Sequence, residues 1–509
     1  MALVNSIAGW ILKKRMHQIE LFKKYPIEVQ NEWFNRLIGN ARHTEFGRKY
    51  RFEKLEDRKR FSEEVPLQDY ESLKGYIDRI MKGEQNLLWP TEIKWFAKSS
   101  GTTSDKSKFI PVSRESLENC HYKGGTDLLT IHYCNQEDPH LFDGKGLILG
   151  GSSEVNKHSK NSYSGDLSSI IIKNLPAWAE YLRVPDLSIA LTPQWEKKID
   201  KMAEVGAVEN ITSISGVPSW NLLLLNRILE ITGKSNMMEV WPQFELYGHG
   251  GVSFHPYREK FKELFPSDRV RFLESYNASE GFFGLQDRWL EEEEDSDMLL
   301  MLDYGIYYEF LPLDELHKDR PQTVLLEETE LNKDYALIIS TNAGLWRYMV
   351  GDTIRFTSQH PYRIQVSGRT KYYINAFGEE LVAENAEKAL AVACKDTGST
   401  ISEYTAAPYF DGVEHSGGHE WIIEFSQAPS NLATFTQRLD EELKKVNSDY
   451  EAKRYKDMNM KLPRVTAVEP GTFYAWLKSK GKLGGQNKVP RLSNKRKIIE
   501  EIHALLQQS

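Results

Sequence analysis

An α/β protein of two units, a large mixed α/β unit and a smaller α+β one, is what the sequence predicts. Three observations carry this. The chain has 509 residues, more than one ordinary domain holds. Its middle mixes strand-like apolar runs, bounded by glycine, with segments of helical period. At Gly368-Arg369-Thr370-Lys371 this changes to a smaller α+β pattern, which puts the boundary near residue 370 and the units at 1–370 and 371–509.

Hydrophobic residues make up 40% of the chain and aromatics 11%, enough for a large folded core. A formal net charge of −8 implies no broad basic surface, so nucleic acid is not expected as a partner. The three cysteines, Cys120, Cys134 and Cys394, show no CxxC spacing. A disulfide scaffold or structural zinc site is not expected, and a reducing compartment is. Ala2 to Leu12 is mildly apolar, but Lys13, Lys14 and Arg15 follow that run instead of preceding it, the wrong order for a secretory signal. No later run reaches membrane-spanning length, so a cytoplasmic protein without an integral membrane segment is expected. Val4, Ile7, Trp10 and Ile11 share one helical face, which predicts an amphipathic helix docked on the core.

Residues 1 to about 90 read as charged helices punctuated by Pro26, Pro66 and Pro90. Ser113 suits the N-cap of a helix running to Thr130, with Glu115 and Glu118 in its opening turns. Gly146 to Gly151 reads as a buried strand closing in a turn, Ile211 to Ile231 as an apolar helix-rich segment, and Tyr247 to Val252 as a glycine-rich turn. Val270 to Gly284 reads as strand, turn, strand, and Glu291 to Asp297 as a solvated acidic loop. Gly305 to Leu311, Tyr335 to Ser340 and Thr353 to Phe356 are strand-like, with Gly351-Asp352 at the tip of a hairpin. In the smaller unit Trp421 to Phe425 and Arg464 to Val468 read as strands. Leu432, Phe435, Leu439, Leu443 and Val446 step by three and four as one face of a helix, and Phe473 begins another.

Lys98 to Pro111 carries the first sign of chemistry. Ser99-Ser100-Gly101-Thr102-Thr103-Ser104 is an unbroken run of hydroxyl residues and glycine, followed by Lys106 and Lys108. Trp95-Phe96-Ala97 before it and Phe109-Ile110 after it predict two strands that clamp the loop. Glycine lets successive N–H groups aim inward, and hydroxyls and ammonium groups add donors, which is what a triphosphate requires. Such loops also occur because they turn easily, so the reading depends on the rest of the chain. Thr232-Gly233-Lys234-Ser235 ends like a Walker A motif, but Ile228 stands where its first glycine belongs. No HExxH and no GxSxG is present, and the thirteen histidines show no ligand spacing.

Four further elements join the loop: Tyr276-Asn277-Ala278-Ser279-Glu280-Gly281; Arg347-Tyr348-Met349-Val350-Gly351-Asp352; Gly368-Arg369-Thr370-Lys371 with Asn375-Ala376-Phe377-Gly378-Glu379-Glu380; and Gly485-Gln486-Asn487-Lys488-Val489-Pro490-Arg491. In this order and at these separations the set resembles the Gretchen Hagen (auxin-responsive) family of acyl acid–amido synthetases. That family is a branch of the adenylate-forming superfamily, which includes acyl-CoA synthetases and luciferase. The likeness runs from about residue 90 to 495, and the wording of its motifs looks more like the bacterial members than the longer plant ones.

The resemblance implies the adenylate-forming-enzyme fold, a large N-terminal domain with a mobile C-terminal lid hinged near residues 368–372. It also implies roles. Ser99, Ser100, Gly101, Thr102, Thr103 and Lys108 match the loop that holds the ATP phosphates, although Ser104-Asp105 stands where a Gly-Gly pair is common. Glu280 matches the carboxylate that binds Mg²⁺, a hard ion that prefers oxygen. Tyr276 and Ser279 would line the nucleotide pocket, and Tyr307 aligns with an aromatic that stacks on adenine. Asp352 matches the carboxylate that accepts both ribose hydroxyls, Arg369 the hinge-region arginine, and Lys488 the mobile lysine that reaches the α-phosphate.

By the same likeness a carboxylic acid is activated by ATP to acyl-AMP and transferred to the amine of an amino acid. The alternatives are an acyl-CoA ligase of the same superfamily and a non-catalytic nucleotide-binding relative. The acyl pocket is expected from the segments around 116–129, 168–178 and 217–225, apolar with scattered polar groups, which suits an aromatic or aliphatic acid.

Overall fold

The apolar runs of the larger unit pair, in the computed structural model, into two sheets. The structure describes residues 2–507 except 56, 100–107, 151–154, 193, 252–253, 255–256, 290–296, 317, 371–372, 375, 378, 380, 411–416, 448–449, 452–453, 455–459 and 482–488. Its strands in chain order are β1 (Trp95–Ser99), β2 (Lys108–Val112), β3 (Lys145–Ile148), β4 (Val155–Lys157) and β5 (Tyr163–Gly165). Then come β6 (Arg183–Val184), β7 (Ile211–Gly216), β8 (Leu246–Gly250), β9 (Arg271–Ala278) and β10 (Gly281–Leu285). β11 (Met298–Leu300), β12 (Ile306–Pro312), β13 (Asp334–Thr341), β14 (Tyr348–Gln359) and β15 (Tyr362–Arg369) complete this set. Among the described residues the large sheet has eleven strands in the order β12-β13-β14-β15-β11-β10-β9-β8-β7-β3-β6, and the small one has four, β2-β1-β5-β4.

β6, β3, β7, β8 and β9 run parallel, so their carboxyl ends share one edge. The antiparallel hairpin β9–β10 turns the chain back at that edge. Two expectations are corrected here. Ile211–Gly216 is a strand and only Pro218–Thr232 a helix, and Leu246–Gly250 is a strand, not a turn. The reason is common to both. A strand buried on both faces shows no alternation and reads like a buried helix or loop. The strand–turn–strand reading of 270–284 holds, and so does the clamp: β1 and β2 are antiparallel neighbours, with Ser99 opposite Lys108.

The first helix, Ala2–Lys24, docks by a face other than the one expected. Trp10 is 67% exposed and Ile11 51%, whereas Leu12, Arg15, Ile19 and Phe22 are buried. At its centre the Arg15 guanidinium lies between Asp127, at 2.6 and 2.8 Å, and Asp303, at 2.7 and 3.0 Å. Tyr304 donates its hydroxyl to the same Asp127 carboxylate at 2.7 Å, and Lys123 reaches Asp303 at 2.8 Å. Ser113 caps the next long helix, accepting from Ser116 N–H at 2.9 Å, as its sequence predicts. That helix continues through a π-helical turn at Leu117–His121 into Tyr122–Asn135. At the wide turn Cys120 Sγ accepts from Phe282 N–H at 3.1 Å, which ties the helix to the start of β10.

Contacts divide the chain into two units: Met1–Val252, Lys260–Val350 and Ile354–Gln365 form one, and Ser253–Glu259, Gly351–Thr353 and Val366–Ser509 the other. In the smaller unit β16 (Tyr373–Ile374) pairs with β17 (Leu381–Val382), and β18 (Thr400–Phe410), β19 (Gly417–Gln427) and β20 (Arg464–Val468) form a sheet. The helices Ala383–Thr397 and Leu432–Val446 pack on one another, burying Phe435, Leu439 and Leu443 as their spacing predicts. Among the described residues no helix is long and apolar enough to cross a membrane.

Removing Arg15 leaves the buried Asp127 carboxylate without its cation and Asp303 with Lys123 alone. Arg15→Ala is expected to cost about 3 kcal/mol. It should also render the first helix sensitive to limited proteolysis under conditions where the wild type resists.

Candidate functional site

In the larger unit the site begins where β9 ends. Ser279 and Glu280 form the turn between β9 and β10, at the carboxyl edge of the parallel strands, where open α/β sheets bind ligands. Gly281, the first residue of β10, leaves no room for a side chain. A Cβ there would meet Ile306 and Phe283 at 2.9 Å. Ser279 is buried and Glu280 half-buried, so the carboxylate has access to solvent. Tyr276, two residues before the strand ends, is buried with its ring 4.9 Å from Phe283.

Glu280 shares its surroundings with Tyr348, Tyr70 and Asp69. Burial first, then the Glu280 and Asp69 carboxylates, push the Tyr348 phenol well above its ordinary range. Its oxygen is buried without a hydrogen-bond partner. Tyr70 accepts from Phe109 N–H at 3.0 Å. This fastens β2, the loop's second arm, just beyond Lys108. Ser99 and Lys108, the strand residues that flank the loop, are both half-buried. Ser100, Gly101, Thr102 and Thr103 lie outside the described residues.

Tyr307 takes a different place. It is 1% exposed on β12, its ring centroid 5.2 Å from Phe34 and 6.2 Å from Phe61, so protein rings cover it in this structure. The sequence singles out no side chain among the buried polar residues Asp166, Lys198 and Asn221, although Asn221 falls within the 217–225 segment expected for the acyl pocket. They belong to no motif. Lys198 reaches the Gly150 carbonyl just past β3, Asn221 lies on the helix after β7, and Asp166 follows β5 of the small sheet.

Asp352, in the smaller unit, is 6% exposed. It does not stand at a hairpin tip, because β14 runs unbroken from Tyr348 to Gln359. Gly351 takes φ +97°, a left-handed conformation that glycine adopts without strain, and this is the turn signal the sequence carries. Thr370 donates its N–H to the Gly351 carbonyl at 2.9 Å, and Ser367 Oγ bonds Thr353 Oγ1 at 3.0 Å. The backbone of Arg369, the last residue of β15, is therefore held between two strand contacts to the Asp352 segment. The Arg369 side chain and all of Lys488 lie outside the described residues. The chain just beyond Lys488 is well fixed: Thr405 Oγ1 donates to the Pro490 carbonyl at 2.7 Å, and Ala406 N–H to that of Arg491 at 2.8 Å.

Glu379 organises the loop beyond β16. Its carboxylate accepts from the N–H groups of Ala376 at 3.2 Å and Phe377 at 2.7 Å and meets His419 Nε2 at 2.7 Å. Burial would raise its pKa, but His419 and these N–H groups hold it below the ordinary glutamate range. Such a carboxylate stabilises the fold above its unfolded pKa of about 4.3 and loses that contribution as pH falls through the folded value. Glu379→Gln is thus expected to be less stable at pH 7 by about 2 kcal/mol. Acid titration of unfolding should show the gap to wild type closing below about pH 4.

The class follows from this architecture. The chain superimposes on 2-hydroxyisobutyryl-CoA ligase, captured in its postadenylation state with 2-HIB-AMP, with a TM-score of 0.60 at 12% identity. That match covers 94% of this chain and 92% of the ligase, and the fold is that of the adenylate-forming enzymes. Agreement is better with the GH3.15 acyl acid amido synthetase, at a TM-score of 0.80 and 19% identity over 96% of this chain and 95% of the other. Residues 15–270 match the GH3 family N-terminal domain, 299–369 its central domain and 384–497 its C-terminal domain. The chain belongs to the GH3 family, as its motifs suggest. The indole-3-acetic acid-amido synthetase GH3.3 of Arabidopsis thaliana is 21% identical to it, over 96% of this chain and 93% of that one.

Proposed function

We propose that this protein is an acyl acid–amido synthetase, joining a carboxylic acid to the amine of an amino acid at the expense of ATP. One observation carries the reading above the fold: a half-buried carboxylate, Glu280, at the carboxyl edge of the parallel strands, in the same unit that anchors both arms of a hydroxyl-rich loop. Full-length likeness to amido synthetases supports the choice of amine as acceptor. Free thiols at Cys120, Cys134 and Cys394 suit a reducing, cytoplasmic setting.

In the first half-reaction an oxygen of the acyl carboxylate attacks the α-phosphorus. The bond between that phosphorus and the bridging oxygen breaks, and pyrophosphate leaves. The loop from Ser99 to Lys108 holds the phosphates through N–H, hydroxyl and ammonium donors, while Asp352 takes the ribose hydroxyls and Arg369 and Lys488 neutralise charge at the reacting phosphate. Tyr276 and Ser279 flank the nucleotide, and Tyr307 stays with the core. Glu280 fits a Mg²⁺ ion. It offers hard carboxylate oxygen near the buried, unpartnered Tyr348 hydroxyl, and one carboxylate with substrate phosphates is a usual Mg²⁺ donor set. When bound, the ion would neutralise phosphate charge. In the second half-reaction the amine attacks the acyl carbon, AMP leaves with the electron pair of the broken carbon–oxygen bond, and the amine loses a proton. A hinge at residues 368–372, between units 1–370 and 371–509, would let Lys488 serve the first step and withdraw for the second.

ATP–pyrophosphate exchange across a panel of carboxylic acids tests the reading. Exchange should depend on the acid and fall about a hundredfold or more in Glu280→Gln and Lys488→Ala. No exchange with any acid despite ATP binding would instead mark a non-catalytic relative, and products formed with CoA but never with amino acids a CoA ligase. Lys371→Pro should slow amide formation more than exchange. Wild-type rates in both would remove the hinge.

A further inference from the structure

β3, β7 and β8 end at the same edge of the sheet as the Glu280 turn. Just past them the chain runs through Leu149-Gly150 and Gly216. Asn221, in the first turns of the helix Pro218–Thr232, is wholly buried beside these residues. A Cβ on Gly216 would meet both Asn221 Nδ2 and the Leu149 carbonyl oxygen at 3.0 Å. Neither the nitrogen nor the oxygen of the Asn221 side chain has a hydrogen-bond partner. Buried amides are nearly always paired, because an unpaired one disfavours folding. A residue kept there with both ends open is arranged for something else to bind.

One peptide further on, the Gly150 carbonyl accepts from Lys198 Nζ at 2.8 Å. Lys198 is 2% exposed, and burial lowers its pKa to about 8, opposed by the nearby Asp166 carboxylate. Asp166 is itself buried and caps the helix Leu167–Lys173. The Lys198 ammonium thus already faces an opposite charge, which leaves little for a second anion to pair with. A hydrocarbon would leave both ends of the amide open. A hydroxyl, which donates one hydrogen bond and accepts another, satisfies the carboxamide at both ends.

We propose that Asn221 is a specificity-determining residue of the acyl site, selecting carboxylic acids that bear a hydroxyl on the end remote from the reacting carboxyl. The inference rests on the adenylation reading above. It names a neutral, hydroxylated acyl acid as the substrate class, with Asn221 Nδ2 donating to the hydroxyl oxygen and Asn221 Oδ1 accepting its proton.

The test is ATP–pyrophosphate exchange with matched pairs that differ only in hydroxyl against methyl. 4-Hydroxybenzoate and 4-methylbenzoate, 4-hydroxyphenylacetate and 4-methylphenylacetate, and ω-hydroxy and ω-methyl straight-chain acids would serve. For the pair that fits, the wild-type protein should favour the hydroxyl member by about tenfold or more in kcat/KM, and Asn221→Leu should abolish or invert the preference. Equal use of both members by the wild-type protein overturns the inference without any variant having to fold. An unchanged ratio in Asn221→Leu also overturns it, and leaves Asn221 as the partner of a structural water. Exchange that occurs but ignores the hydroxyl leaves adenylation standing, whereas no exchange with any acid removes both.

Discussion

Parallel strands must present their carboxyl ends along one edge, and most of what this protein is built to do depends on that constraint. With β6, β3, β7, β8 and β9 side by side, the residues just past each strand become neighbours although they are scattered from 149 to 280 in the chain. The β9–β10 turn carries Glu280 there, the exit from β3 carries Gly150, and the helix after β7 carries Asn221. The helix Tyr122–Asn135 must then pack closely on the sheet. Gly248, where a Cβ would collide with Leu128, and Gly124, where one would collide with Phe282, show how little room remains.

The smaller unit depends on a second kind of constraint, charge closed within a low-dielectric interior. Glu379 gathers two N–H groups and His419, and Asp440 gathers Arg454, Lys444 and the Tyr450 hydroxyl. Breaking one partner of such a set costs more than its formation contributes, because the survivor stays buried. These sets give the segments around them one arrangement.

Much of the fold could be read from residue order alone, where a local rule governs. Ser113 as a cap, the β9–β10 hairpin and the helix Leu432–Val446 are local, and each is found as expected. Trp95–Ser99 and Lys108–Val112 were visible as two arms because the polar loop between them sets off their apolar residues. Two of the parallel strands, β7 and β8, were not, since Ile211–Gly216 and Leu246–Gly250 lack any alternation. The site divides in the same way. Glu280 and Asp352 each have a glycine one residue away, Gly281 where a side chain would not fit and Gly351 at positive φ. Asn221, Lys198 and Asp166 carry no such mark, because they come from three separate helix starts and turns that only the tertiary fold relates. Trp10 and Ile11 mislead for the converse reason: periodicity defines a face but does not say what covers it.

The first helix is bound to residues far along the chain, Asp127 at a separation of 112 and Asp303 at 288. At a synthesis rate of about 5–20 residues per second, roughly 15–60 s pass between the emergence of Arg15 and that of Asp303. Throughout that interval the nascent helix has an arginine without its second counter-ion and an apolar face without its full cover. The helix Ala2–Lys24 is therefore completed only after the strands of the larger unit up to Asp303 have been made.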